Sequence, residues 1–307
     1  MKRRTEALGR RDAGELARAI LYMTPAALFI GAFSYLPFLR AIQLSFFAVD
    51  RNDFRPARFV GLQYYERILN LAGSAFGDLY LKSLLVSLEF AVLVVLPSIA
   101  AALALAVLAK EKLRRIEFFR TVFSSTIAIS VASAGVIWSL MFSPSVKVFQ
   151  WLMELLRLNA TSILTDERTA LPAVALTTIW TGLGFNFLVA LAGLQSIPRE
   201  LYESCMIDGA GGWTAFRRVS LPMLGPTLLF LFLMTTISAC EAFTQFKVLI
   251  DSAGPNRSTN VFVYAIFEAF WMENNYGLAS AMSVVLFLAL LGMIAAQFRL
   301  DRTVHYQ

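Results

Sequence analysis

Two apolar runs of this 307-residue sequence carry the side chains that could do chemistry. In LFLMTTISACEAFTQF, residues 231–246, Thr235, Ser238, Glu241 and Gln245 recur every three or four residues, the spacing that lines up one face of a helix. In TIWTGLGFNFLVALAG, residues 178–193, Trp180, Gly182, Phe185 and Asn186 stand within about two turns. Hydroxyl, amide and carboxylate groups can hydrogen-bond a polar solute, glycine lets a ligand approach the backbone, and an aromatic ring suits the apolar face of a sugar. The same groups serve equally in helix packing and interhelical hydrogen bonds. Glu89, seven residues past Lys82, reads as a snorkelling acid near a span end.

Catalysis by the chain itself is not expected. His305 is the only histidine, so no Ser-His-Asp or Cys-His set and no zinc or haem site can be assembled. Cys205 and Cys240 are far apart and outside any CxxC pair, which leaves no disulfide framework or metal knuckle. The phosphate-cradling G-x-x-x-x-G-K-[ST] is missing, as is any Gly-Lys pair. GLGFNF, at 182–187, lies in an apolar run with no strand before it, unlike a dinucleotide turn.

The elements that must position these groups are membrane helices. Hydrophobic residues make up 58% of the chain and charged ones 16%, outside the range of an ordinary soluble domain. Runs long enough to cross a bilayer lie near 20–43, 83–109, 121–142, 171–195, 219–245 and 277–298, so the expected fold is an all-α polytopic membrane protein with six transmembrane helices. The first run is too long for a signal peptide and no small-residue cleavage site follows, so it reads as an uncleaved span behind a tail at 1–19, with 300–307 as a closing tail.

With both termini cytoplasmic, sixteen of the 27 Lys and Arg residues fall on the inner side, and the other eleven are spread over longer outer loops. The positive-inside rule favours that orientation. Because the cations cluster at span ends, the net charge of +6 points to membrane lipid and not to nucleic acid. AKEKLRRIEFFRTV, at 109–122, then reads as a cytoplasmic anchor facing headgroups.

Between the fourth and fifth runs lies a polar, glycine-dense connection at 196–222. Ser196 is a candidate helix cap, Pro198 suits a first turn, and Glu200 stands where the helix dipole favours acids. Gly209, Gly211 and Gly212 end that helix, WTAFRRVS forms a second, and Leu221-Pro222 opens the next span. The expected shape is helix, bend and helix on the cytoplasmic surface.

The order LYES…DGA……F..VSLP…P resembles the EAA loop of inner-membrane permease subunits of bacterial binding-protein-dependent ABC importers. Glu203 matches the motif's acid, Asp208-Gly209-Ala210 its D-G-A, Phe216 its aromatic residue, and Leu221, Pro222 and Pro226 its end. Ser204-Cys205 stand where two alanines are usual. LQSIPRELYE, FVGLQYYERIL, SAGPNRSTNVFVYAIFEAF and GLASAMSVVLFL resemble, in order, further segments of the carbohydrate-uptake class, the maltose and glycerol-3-phosphate permease type. Ser252-Ala253-Gly254-Pro255 is a looser match, since a G-G-P is usual there.

The resemblance implies a type I importer permease with no cofactor of its own. Its partners would be a second permease, an external solute-binding protein and two cytoplasmic ATPase subunits that use ATP and Mg. It implies that 196–222 is a coupling loop docking on an ATPase, and that Gly182 and Phe185 match positions lining a sugar site. GFNFL, QSIP and the ending AAQFRLDRTVHYQ resemble a glycerol-3-phosphate permease, yet apart from Arg40 at the outer end of the first run no Lys or Arg lies within the spans to meet a phosphate. A neutral sugar, a polyol, a glycerol phosphate whose charge the partner meets, and a zwitterionic glycerophosphodiester remain open. The alternative is an ion-coupled secondary transporter, against which stand the lack of a repeat between the halves and the off-centre acids.

Overall fold

The structure, a computed structural model, describes residues 18–49, 55–69, 75–110, 116–143, 163–250 and 253–304, with isolated positions between. Most of the amino-terminal tail, the basic residues at 112–115 and His305 lie outside the described residues.

Helix α1 (Arg18–Leu44) comes first, with a π-turn at Gly31–Tyr35. A short antiparallel hairpin, β1 (Phe47–Val49) and β2 (Pro56–Phe59), and α2 (Gln63–Ile68) lead into α3 (Ala75–Lys110). At 1.5 Å per residue, the 36 residues of α3 reach about 54 Å, well beyond a hydrocarbon core. Next come α4 (Ile116–Ser124), a 3₁₀ turn at Ser125–Ala128, α5 (Val131–Phe142) and α6 (Ala170–Gln195). Then follow α7 (Arg199–Ile207), α8 (Gly212–Met223), α9 (Gly225–Cys240), α10 (Thr244–Leu249), α11 (Phe262–Met272) and α12 (Tyr276–Val304).

Among the described residues four helices, α1, α3, α6 and α12, are each long and apolar enough to cross a membrane; two more spans arise only if each bent pair is one span. The expected third span, 121–142, is such a pair: the segment Glu117–Ala128 meets α5 at 103°. Ser130 explains the break, for its extended backbone and its Oγ, which accepts the Ser133 N–H at 3.1 Å, start a new helix. The expected fifth span, 219–245, is also not continuous. It bends by 68° between α8 and α9, where Pro226 pre-sets a first turn, and α9 stops at Cys240 before α10 begins at Thr244.

Helices α3 and α6 form the centre, and small residues, Ala102, Ala106 and Ala190 among them, let their backbones come close. Phe90, Val94, Trp138, Val174, Phe246 and Tyr264 build one buried cluster, with the Phe90 and Phe246 rings edge to face at 4.8 Å. A second joins Ile68, Tyr80, Phe262, Leu278 and Met282, and a third joins Ala106, Phe187, Leu194, Leu224 and Leu231.

The stretch resembling a last outer loop contains α11, an apolar helix with Phe262, Tyr264, Ala265 and Ala269 buried. Its first N–H, on Phe262, donates to Ser87 Oγ at 2.7 Å. Arg257 and Glu268 pair at 3.5 Å beside it. By contrast α1 has no buried residue in its apolar window and meets the bundle through Phe38, whose ring lies 5.0 Å from that of Phe287.

Candidate functional site

A half-open cavity of about 330 Å³ lies where the bent pairs meet α3 and α6. The 3₁₀ turn and Ile129 form one wall, the middle of α6 a second, and the end of α9 with Gln245 a third. Its polar lining consists of Ser98, Thr126, Thr178, Thr181, Asn186, Thr235, Ser238 and Gln245, and no lining residue is charged.

The wall at Thr126 is held by a hydrogen bond from the Gly184 N–H to Thr126 Oγ1, 2.9 Å long and buried. Only glycine permits this approach, since a Cβ at position 184 would lie 2.5 Å from Thr126 Oγ1 and 3.1 Å from the Ser124 carbonyl. Asn186 Nδ2 donates to Ser98 Oγ at 2.8 Å, tying α6 to α3 across the cavity's inner end. Thr178 and Thr181 turn their hydroxyls onto their own helix, at Val174 O and Thr178 O. Thr235 Oγ1 is buried and has no hydrogen-bond partner among the described residues. Removing the Asn186 amide should cost about 1 kcal/mol, because Ser98 loses its cross-helix donor. The Asn186→Ala importer, assembled and solubilised, is therefore expected to melt a few degrees lower; an unchanged Tm would refute the contribution of this bond.

Of the residues singled out in the two apolar runs, Gly182, Phe185, Asn186, Thr235, Ser238 and Gln245 line the cavity together. Trp180 does not. It is half-buried, 5.9 Å edge to face from Trp138, and packs against the core. Glu241 does not either: it is the exposed closing residue of α9, its N–H bonded to Ile237 O, one turn past Ser238. Ser98, Thr126, Thr178 and Thr181 were not singled out, and their one signal is a hydroxyl inside an apolar run.

At the other end of α6 the connection forms the expected helix, bend and helix. Ser196 does not cap α7; it closes α6, its N–H bonded to Ala192 O and its Oγ to Gly193 O. A residue before proline avoids helical backbone, so Ile197 cannot enter α7 and Pro198 stands at its N-cap position. Gly209, at φ 78°, ends α7: its N–H bonds Met206 O, and the Ala210 N–H bonds Cys205 O, which is a Schellman stop.

Glu203 pairs with Arg199 at 2.9 Å on the surface of α7. Ser204, Asp208, Leu221 and Pro222 are exposed, Cys205 and Ala210 are half-buried, and Phe216 stacks on Trp213 at 5.5 Å. Beside the acids, Met206, Ile207 and Trp213 also project outward, at 60%, 86% and 75% exposure. Within the loop the Tyr202 hydroxyl and Ser220 Oγ are 2.8 Å apart; the loop is fastened to the bundle by Lys110 Nζ, 3.5 Å above the Tyr202 ring, and by Tyr202 and Val219, which pack on the cluster of Ala106, Phe187 and Leu231. Gly193 brings α6 against Thr227, where a Cβ would come within 2.7 Å of the threonine hydroxyl.

Bent apolar helices around an uncharged polar cavity, with a rigid surface loop fastened to their ends, describe a solute-conducting membrane subunit. The chain belongs to the family of the binding-protein-dependent transport system inner membrane component, whose pattern matches residues 90–306, and it is a permease subunit of an ABC importer. It is 31% identical over 289 residues to the sn-glycerol-3-phosphate transport system permease protein UgpA of Rhizobium meliloti (strain 1021), covering 93% of this chain and 95% of that one. It is 28% identical over 292 residues to the sulfoquinovosyl glycerol transport system permease protein SmoG of Agrobacterium fabrum, covering 95% and 92%. The fold matches a bacterial ABC transporter involved in the import of the acidic polysaccharide alginate, with a TM-score of 0.80 and 20% identity over 98% of this chain and 100% of that one. The ion-coupled alternative finds no support among these relatives.

Proposed function

We propose that this chain and a second permease enclose the path of a hydroxyl-rich solute, a sugar, polyol or glycerol-phosphate-type molecule, across a bacterial cytoplasmic membrane. An external binding protein delivers the solute. Two cytoplasmic ATPase subunits, using ATP and Mg, drive alternating access, and both termini of this chain are cytoplasmic. The observation that carries the solute class is the cavity: every polar side chain lining it is a hydroxyl or an amide. Such groups recognise hydroxyls by paired donors and acceptors, and the Phe185 ring offers a face for sugar carbons. The names of the relatives, a glycerol-3-phosphate and a sulfoquinovosyl glycerol permease, agree with a glycerol- or sugar-bearing solute. An anionic group would need a cation from the second permease.

The coupling residues are Glu203, Ser204, Cys205, Asp208, Gly209, Ala210, Phe216, Leu221 and Pro222. Acids on α7 beside projecting apolar side chains suit a groove on a soluble motor, and the fastening to α3, α6 and α9 suits transmission of a rocking movement. The test is uptake into liposomes holding the assembled importer, with labelled sugars, polyols and glycerol 3-phosphate compared. Uptake is expected to need ATP, the binding protein and both permeases. Ion-gradient-driven uptake by this chain alone would overturn the proposal.

A further inference from the structure

Met223, Pro226, Phe230, Met234, Ser238 and Glu241 are all exposed and recur every three or four residues, forming one outward stripe along α9 and its ends. Met234 and Ser238 also line the cavity, so the cavity opens on this stripe and Glu241 stands one turn beyond Ser238 at its lip. The site is unfavourable for a lone carboxylate, because Glu241 terminates α9 and the negative end of the helix dipole points at it. Glu241 makes no ion pair with another described residue, and the pairs Arg199–Glu203 and Arg257–Glu268 lie elsewhere. Turned toward hydrocarbon without a partner, the carboxylate would be penalised. The stripe therefore suits a partner surface that is apolar against Met223, Pro226, Phe230 and Met234 and polar at Glu241, where the charge to be answered is negative.

We infer that Glu241 forms an ion pair with a Lys or Arg of the second permease, across the seam that closes the cavity. The inference rests on the permease pair proposed above. It places a cation at the lip of a cavity whose lining in this chain has none, so one residue of the partner would neutralise Glu241 and border the solute.

The test uses the complete importer in liposomes with ATP and the binding protein. Glu241→Gln, which keeps shape and removes charge, is expected to lower uptake by roughly tenfold or more, and Glu241→Asp to retain most of it. Glu241→Lys should abolish uptake, and selection for recovered uptake in cells should return second-permease changes of a Lys or Arg to a neutral or acidic residue. Membrane level and co-purification of the subunits are measured for each variant, so that the Gln and Asp pair decides even if the Lys variant fails to assemble. Normal uptake by Glu241→Gln overturns the inference, as do suppressors confined to this chain. A Gln variant that loses only cation-bearing solutes while passing neutral ones also overturns it, because the carboxylate would then read solute. Omitting the second permease tests the pair itself separately: uptake without that subunit would sink the permease pairing, whereas the outcomes above leave it standing.

Discussion

A Gly209→Pro chain is expected to reach the membrane and assemble, yet to support no uptake, with ATP hydrolysis no longer responding to the loaded binding protein. Gly209 sits at φ 78°, while proline is held near −65°, and proline also lacks the N–H that bonds Met206 O. The Schellman stop is lost and α7 meets α8 at a different angle, at a local cost on the order of 1–3 kcal/mol. That is small beside the burial holding the spans, so the bundle survives while its motor contact is misdirected. Gly209→Asn should keep much of the activity, since asparagine tolerates left-handed backbone. Normal uptake by the proline variant would remove the loop from the mechanism. Glu203→Lys separates local stability from docking: the exposed pair with Arg199 is worth only about 0.3–0.5 kcal/mol, so a large loss of uptake there would report a contact with another subunit.

Gly184→Ala is expected to damage both stability and transport, although it adds a single methyl group. Its Cβ would sit 2.5 Å from Thr126 Oγ1 and 3.1 Å from the Ser124 carbonyl, and the carbonyl belongs to a backbone turn that cannot rotate away. Either α6 or the 3₁₀ turn must shift, at about 1–3 kcal/mol, and the bond from Gly184 to Thr126 is broken with it. Because that turn is a cavity wall, uptake should fall together with the Tm of the assembled importer. Gly182→Ala is the contrast. Its Cβ would meet Asn186 Nδ2 at 3.7 Å and Ser98 Oγ at 4.0 Å, ordinary contacts, so Tm should hold while the KM for solute rises as the methyl enters the cavity. Equal Tm values for the two variants would show that the close approach at Gly184 does not constrain the fold.

Much of this protein was legible in its residues because the signals are local. A run of apolar residues of bilayer length has few alternatives to a helix, which is why the runs at 20–43, 83–109, 171–195 and 277–298 fall inside the helices α1, α3, α6 and α12. Glycine at 209 ends a helix through its own backbone freedom, so the bend before α8 needed no knowledge of neighbours. Gly182, Phe185 and Asn186, three of the lining residues of α6, followed from glycine, aromatic and amide chemistry in a short segment, whereas Thr178 and Thr181 did not.

The bends did not announce themselves, because hydropathy sums side chains over a window and is blind to the direction of the chain. Residues 121–142 are as apolar around a 103° turn as they would be in a straight rod, and only the Ser130 cap and its fit against α6 choose the turn. Ser98 and Thr126 escaped notice for a related reason: a hydroxyl scarcely lowers the hydropathy of a span, and whether it bonds its own helix or a neighbour depends on what packs there. A stripe drawn through Thr235, Ser238, Glu241 and Gln245 presumes one unbroken helix, whereas the chain turns between α9 and α10, and Gln245 lines the cavity while Glu241 does not.

By itself the sequence determined how many stretches are greasy enough to enter a bilayer, where the polar loop lies and how that loop turns, all properties of neighbouring residues. Tertiary packing alone decided which stretches bend, which hydroxyls from α3, the 3₁₀ turn, α6 and α9 converge on one cavity, and that Glu241 stays outside its lining. Convergence depends on contacts between residues far apart in the chain, such as the Ser98–Asn186 bond across 88 positions, and no local pattern encodes them.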